Sequence, residues 1–342
     1  PASYLPDINQ RLIPYTNDST HATAALVGIL NTLLVAFVGC ILATIIGVFV
    51  GILRLSKNWI IAKLMSVYIE GFRNVPLLLW IVMVFALLTE FTPQPRAFKG
   101  ENPDASMIMF ESIAVTNRGT YLPNPQWGTG SIWLILVFLV SLLGIVIFRR
   151  YAKNIQKNTG RNLPVLWVSL GIFFVPTILF YFILGSPVTL EYPYLKGFNF
   201  KDGVHIRNSF IALTLALAFY TSAFIGEIVR SGIMAISKGQ TEAAAALGMR
   251  PNKIMSLIVL PQALRVIVPP MISQYLNLTK NSSLAIAVGY MDVRGTLGGI
   301  TLNQTGREME SMVLLMGFYL TVSLLISSVI NYFNRSFQLV GK

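Results

Sequence analysis

Five stretches of this chain contain no Asp, Glu, Lys or Arg: Ala22 to Leu53, Ser131 to Phe148, Asn162 to Leu190, Asn208 to Gly226 and Ser311 to Asn334. A run of about 20 apolar residues is what a helix needs to cross the hydrocarbon core of a bilayer. Backbone polar groups in lipid have to be satisfied within the segment, which selects helices. A soluble helical core does not call for several uncharged runs of this length. Composition agrees: 54% of the 342 residues are hydrophobic and 12% are charged, about half the charged fraction of a soluble domain. The chain is expected to be all-α and polytopic.

Seven spans are read, at about 25–53, 67–91, 131–149, 165–185, 208–229, 266–290 and 311–333. The second contains Glu70 and Arg73, and the sixth has Lys280 near its middle. Lys and Arg gather on the cytoplasmic side of membrane proteins. Segments 54–66, 149–163, 230–265 and 334–342 hold fifteen of them against one acid, Glu242. These segments and the carboxyl terminus are therefore placed in the cytoplasm. Segments 1–24, 92–130, 186–207 and 291–310 then face outside. The long 92–130 segment is rich in Pro, Asn and Gly and is expected to fold over the outer mouth. The first residue is Pro1 and no leader pattern is visible, so one further span before Pro1 is expected.

The net charge of +12 sits in short loops between apolar runs, not along one exposed face, which argues against a nucleic-acid surface. Cys40 is the only cysteine, and it lies in an apolar run; His21 and His205 are the only histidines. No internal disulfide is possible, and no metal site is expected. The chain contains no Gly-x-x-x-x-Gly-Lys-Ser/Thr phosphate loop, so it is not expected to bind ATP itself.

The most informative stretch runs from Gly239 through Glu242-Ala243-Ala244-Ala245-Ala246 to Gly248, and on to Ile258, Leu260 and Pro261. Thr241 is expected to cap a short helix that the alanines favour. Gly248 is suited to the left-handed residue that ends it, and Pro251 to the first turn of a second short helix. An alanine-rich face has little bulk and fits a partner's groove, with Glu242 supplying one charge.

These positions resemble the permease subunits of bacterial ABC importers, which share Glu-Ala-Ala, three residues, Gly, nine residues, then Ile-x-Leu-Pro. Glu242-Ala243-Ala244, Gly248, Ile258, Leu260 and Pro261 stand at that spacing. The flanking Glu227 to Ile233, Leu260 to Arg265, Lys280 to Leu284 and Phe72 to Leu77 look like the polar amino-acid uptake branch. That branch more often has Gly-Thr at Asn74-Val75. This departure and the long insertion are similar to general L-amino-acid permeases, which work as pairs of related subunits.

The resemblance implies a five-span permease core at 25–91 and 205–342, with 92–204 an insertion carrying the outer loop and two extra spans. It implies a coupling loop at 238–262, with Gly239, Glu242, Ala243, Ala244, Gly248, Ile258, Leu260 and Pro261 docking an ATPase. The expected assembly has an ATPase dimer holding ATP and magnesium, a second permease subunit and an external amino-acid-binding protein, all at the bacterial inner membrane. No cofactor and no enzymatic activity belong to this chain. The cargo would be polar or broad-range L-amino acids.

Charges inside spans are costly and therefore candidates for function. Glu70 with Arg73, and Glu227 with Arg230, have the spacing of helical pairs, for packing or for substrate contact. Asn277, Lys280, Asn281, Ser282 and Ser283 make the sixth span polar where apolar residues are expected. They read as a substrate path or gate, or as helix packing; Asn74 and Pro76 are added to the path. Pro76, Pro269 and Pro270 are expected to kink their spans. An ion-driven secondary transporter would need no ATPase and would leave the loop match unexplained. A membrane enzyme would need a nucleophile–base pair, and none has recognisable spacing.

Overall fold

Thr20 opens the first long helix by accepting the Thr23 backbone N–H on its hydroxyl at 3.3 Å. From there α1 runs unbroken over His21–Arg54. Its inward face is built of small residues, among them Ala24, Gly28, Ala36, Gly39, Ala43, Gly47 and Gly51. Phe37, Ile41, Ile45, Phe49 and Ile52 point outward. This inversion of a soluble helix is what lipid demands, because large apolar side chains gain nothing by leaving it and small residues let backbones approach.

The computed structural model describes residues 12–16, 18–100, 103–161 and 163–337. Expectations for 1–11 and 338–342, including the start of the external segment and the carboxyl-terminal Lys342, lie outside these residues. The chain forms two compact units. One holds the described residues of Pro1–Thr92, Thr116–Gly119 and Ile206–Lys342; the other holds those of Pro93–Val115 and Thr120–His205.

In the first unit, α1 is followed by α2 (Trp59–Asn74) and α3 (Leu77–Glu90). The bend expected at Pro76 is present and sharp: the axes of α2 and α3 differ by 106°. Val75 is extended (φ −104°, ψ 133°) because it precedes Pro76, and Pro76 has no N–H to continue the ladder. The bend is fixed by Phe72 stacking on Trp80, with centroids 4.3 Å apart. With 14 residues, α3 is about 21 Å long, short of the hydrocarbon thickness.

Apart from Thr116, Gly119 and Ile206, which belong to the first unit, the second unit contains β1 (Ala114–Thr116), β2 (Gly119–Leu122) and β3 (Asn124–Trp127), then α4 (Ser131–Thr159) and α5 (Val165–Ile183), then β4 (Val188–Glu191), β5 (Tyr194–Lys196), β6 (Asn199–Lys201) and β7 (Val204–Ile206). The strands are short, in one three-stranded sheet ordered β1-β2-β7 and two antiparallel pairs, β3-β4 and β5-β6. The sequence reading contains no strands; they lie between the apolar helices and leave the membrane part all-α. Ala114, Tyr121 and Phe200 form a small buried core there. Gly144 lets α4 approach Ile172 of α5.

The first unit resumes with α6 (Asn208–Met234), α7 (Lys238–Ala246), α8 (Pro251–Ile254), α9 (Leu260–Asn281), α10 (Leu302–Thr305) and α11 (Glu308–Phe337). Its central seam is α1 against α6. A Cβ on Gly47 would lie 2.7 Å from Ile225 Cβ, and one on Gly51 would lie 2.6 Å from the Gly226 carbonyl. Tyr68 ties α2 to α6 through Ser222 Oγ at 2.6 Å and by donating to the Phe219 carbonyl at 3.1 Å. Pro269 and Pro270 lie inside α9, which runs through them as one helix. The irregular turns are at its ends: a π-helical turn over Met255–Val259 and a 3₁₀ stretch over Ser282–Val288. Among the described residues six helices are long and apolar enough to cross a membrane, seven if α2 and α3 together make one span.

Candidate functional site

Helix α7 starts after Ser237, so Thr241 is not its cap. Thr241 sits one turn in, where its hydroxyl donates to the Lys238 carbonyl at 2.6 Å; the alanines extend the helix backward past it. The other end is as read from the sequence. Gly248 has φ +78°, Met249 N–H donates to the Ala244 carbonyl at 3.2 Å, and Gly248 N–H to the Ala245 carbonyl at 2.9 Å. This pair of bonds is a Schellman ending.

Pro251 begins α8, but α8 is not a separate short helix. It continues through the π-turn into α9. Pro261 cannot donate to the turn before it, and the wider turn absorbs the missing bond. The Gln262 side-chain amide covers the Ile258 carbonyl at 3.0 Å. The loop is thus a short helix, a sharp turn, and the start of a long membrane helix.

Ala244 is buried against Ile254 and Val259, with Ile233, Ile236 and Ile258 around them. Gly239, Glu242, Ala243 and Gly248 are exposed, as are Leu260 and Pro261. Leu247 is 84% exposed, the most exposed large hydrophobic side chain of the loop and one the sequence reading did not select. Thr241, Glu242, Ala245, Pro251 and Met255 edge a hollow of about 390 Å³. The docking residues therefore divide into a presenting surface and, at Ala244 and the half-buried Ile258, its footing.

The polar segment divides likewise. Asn277 and Lys280 are exposed on one face of α9, together with Ser273, at the i, i+4, i+7 spacing of a stripe. On the opposite side Leu278 is buried beside Gly39 of α1, and Tyr275 bonds Thr44 at 2.7 Å. Ser282 is fully buried and donates to the Thr279 carbonyl at 2.7 Å. Asn281 and Ser283 are half-buried, and the Ser283 carbonyl accepts from Arg294 at 3.3 Å. Asn74 and Pro76 are exposed at the α2–α3 bend. Leu77 and Ile81 of α3 share one core with Leu278, Ala285 and Val288, so the bend and the polar segment are neighbours in the fold.

Glu70 and Arg73 do not form the expected ion pair: both are exposed, and Arg73 lies 5.2 Å above the Phe224 ring. Glu227 and Arg230 do pair, at 2.6 Å, and Arg54 joins them.

Asp292 was missed by sequence reasoning because it falls just after the apolar run. It is fully buried, with Oδ1 accepting the Gly295 N–H at 2.8 Å and Oδ2 given no hydrogen bond within ordinary distance among the described residues. Burial, partly offset by backbone N–H groups, pushes its carboxyl up to about 6. The segment around it is fastened to α1: Asn31 donates to the Met291 carbonyl at 2.8 Å, and Val293 N–H donates to Thr32 Oγ1 at 3.0 Å. Gly28 makes this possible, since a Cβ there would lie 2.8 Å from the Asp292 carbonyl.

Residues 154–338 match the family described as the binding-protein-dependent transport system inner membrane component. The chain is 53% identical to the glutamate/glutamine/aspartate/asparagine transport system permease protein BztB of Rhodobacter capsulatus, over 97% of this chain and 83% of that protein. It is 44% identical to the general L-amino acid transport system permease protein AapQ of Rhizobium johnstonii, over 98% of this chain and 82% of that protein. A crystal structure of an amino acid ABC transporter with histidines superposes with a TM-score of 0.53 at 20% identity, covering 92% of this chain and 95% of that one; at that identity the likeness speaks for the fold alone. With its apolar helices, its exposed loop helix and these relatives, the chain belongs to the binding-protein-dependent transport system inner membrane components, as a multi-pass permease.

Proposed function

We propose that this permease is one subunit of an ATP-driven importer of amino acids, polar or broad-range. The observation that carries this reading is the α7 loop. It presents Glu242, Leu247 and Gly248 to solvent on a helix stiffened by alanines, and its footing on Ile254 and Val259 joins it to α9. A presented helix rooted in a membrane helix is suited to pass a push from outside the membrane into it. Gly239, Glu242, Ala243, Ala244, Gly248, Ile258, Leu260 and Pro261 form the docking element for an ATPase dimer, which holds ATP and magnesium. The loop and the carboxyl terminus lie in the cytoplasm, in keeping with the cationic residues around them.

The substrate path runs between this chain and a second permease subunit. An exposed stripe of Ser273, Asn277 and Lys280 on a membrane helix is too polar for lipid and fits a water-lined cavity. Asn74, Pro76, Asn281, Ser282 and Ser283 border the same path. An external binding protein delivers the amino acid, and the five-span core at 25–91 and 205–342 carries transport while 92–204 is an addition to it. The relatives named for glutamate, glutamine, aspartate and asparagine transport and for general L-amino-acid transport support that cargo class.

The test is purification of the complex from its native membrane, with Glu242→Cys in a Cys40→Ser background for cross-linking. An ATPase subunit is expected to co-purify and to be captured at position 242. A complex with no ATPase, or one captured only at distant positions, refutes the reading.

A further inference from the structure

One carboxylate gathers groups from three helices where α1 ends. Arg54, the last residue of α1, donates from Nε to Ser66 Oγ of α2 at 3.1 Å and pairs through Nη1 with Glu227 of α6. Arg230 binds the same carboxylate, Nη2 to Oε1 at 2.6 Å and Nε to the two oxygens at 3.2 and 3.3 Å. Its Nη1 also reaches the sulfur of Met234, the last residue of α6, at 2.9 Å. Arg73 of α2 lies over Phe224, one turn away on α6.

The cluster stands one turn from the closest backbone approach in the molecule's central seam, Gly51 against Gly226. Glu227 is about 10 Å along the α6 axis from Met234, and three residues after Met234 the chain enters α7. The three charged side chains keep 19%, 27% and 28% of their surface. A network with this geometry adds to stability, but the glycine seam already holds α1 to α6. The pair with Arg230, made within α6, holds the Glu227 carboxylate in place, and the single charge-assisted bond from Arg54, itself held by Ser66, sets how α1 and α2 approach it.

We infer that Arg54 and Glu227 are positioning residues for energy coupling, locking the ends of α1, α2 and α6 so that a displacement of α7 moves all three together. Without the joint, α6 could turn with α7 while α1 and the α2–α3 bend stay behind. The inference rests on the proposed coupling role of the α7 loop.

The test uses the whole importer reconstituted in liposomes, with uptake per ATP hydrolysed as the readout. Arg54→Gln keeps the Glu227–Arg230 pair, so subunit assembly and basal ATP hydrolysis are expected to be unchanged. Uptake per ATP is expected to fall about tenfold, inside the range of roughly 5- to 150-fold typical of coupling between sites. The exchange Arg54→Glu with Glu227→Arg restores a carboxylate facing guanidinium groups and is expected to recover most of the loss. An assembled Arg54→Gln complex with normal uptake per ATP overturns the inference. So does an exchange variant that assembles and stays uncoupled, or an Arg54→Gln chain that no longer assembles, because its role is then structural. Gly248→Asp, run in parallel, separates this from the reading beneath it. If Gly248→Asp remains fully coupled, the α7 reading fails; if it abolishes docking while Arg54→Gln stays coupled, only the joint fails.

Discussion

Replacing Gly51 by Ala puts a methyl group where the backbone of α6 already stands. The new carbon would lie 2.6 Å from the Gly226 carbonyl oxygen, 2.8 Å from Val229 Cβ and 3.0 Å from Val229 Cγ1. The first of these neighbours is helical backbone and cannot rotate away. Relief requires α6 to withdraw by about 0.5–1 Å, which forfeits roughly a quarter to a half of the dispersion attraction along the seam. Overpacking costs about 1–3 kcal/mol when side chains can adjust, so the expected cost here is at the upper end, about 3 kcal/mol. Gly71 provides the contrast: it is also helical, and a Cβ there meets nothing within 4 Å. Gly71→Ala is expected to stabilise the helix by about 0.5–1 kcal/mol. The assay is unfolding of the purified subunit in mixed micelles of rising SDS fraction, followed by far-ultraviolet circular dichroism. The two variants should shift the midpoint in opposite directions. A Gly51→Ala midpoint equal to that of the parent, or an equal loss in Gly71→Ala, refutes backbone contact as the basis of the α1–α6 seam.

Three further outcomes are expected. Gly248→Asp places a side chain at φ +78°, which costs about 1–2 kcal/mol, and adds a carboxylate to the exposed surface of the loop; ATPase co-purification should drop and hydrolysis should no longer drive uptake. Lys280→Ala should impair uptake while leaving ATPase co-purification intact, and normal uptake would remove Lys280 from the path. Asp292 gives a pH signature: burial raises its carboxyl from 3.8 to about 6, so the folded chain holds a proton that the unfolded chain releases. Its contribution is fully present below pH about 4 and is lost as pH rises through 6. Asp292→Asn should flatten that part of the unfolding midpoint's pH profile, and an unchanged profile would show that the carboxyl is not buried in this way.

The sequence by itself determined the class of solvent around the chain and the position of the exposed loop helix. Uncharged runs such as Ala22 to Leu53 leave a helix in lipid as their stable form, and this does not depend on neighbours. Gly248 and Pro251 act through their own backbone restrictions, so the turn between them is local and legible. Tertiary structure decided what depends on distance between helices. A pre-proline residue such as Val75 announces a kink, but 106° follows from Phe72 meeting Trp80. The spacing of Glu70 and Arg73 fits a pair as well as that of Glu227 and Arg230, yet only the second pair forms, with Arg54 added from 173 residues away. The glycines of α1 read as ordinary members of an apolar run until α6 and the Asp292 segment lie against them. Composition records which residues tolerate lipid; only the packed fold shows which of them face another backbone.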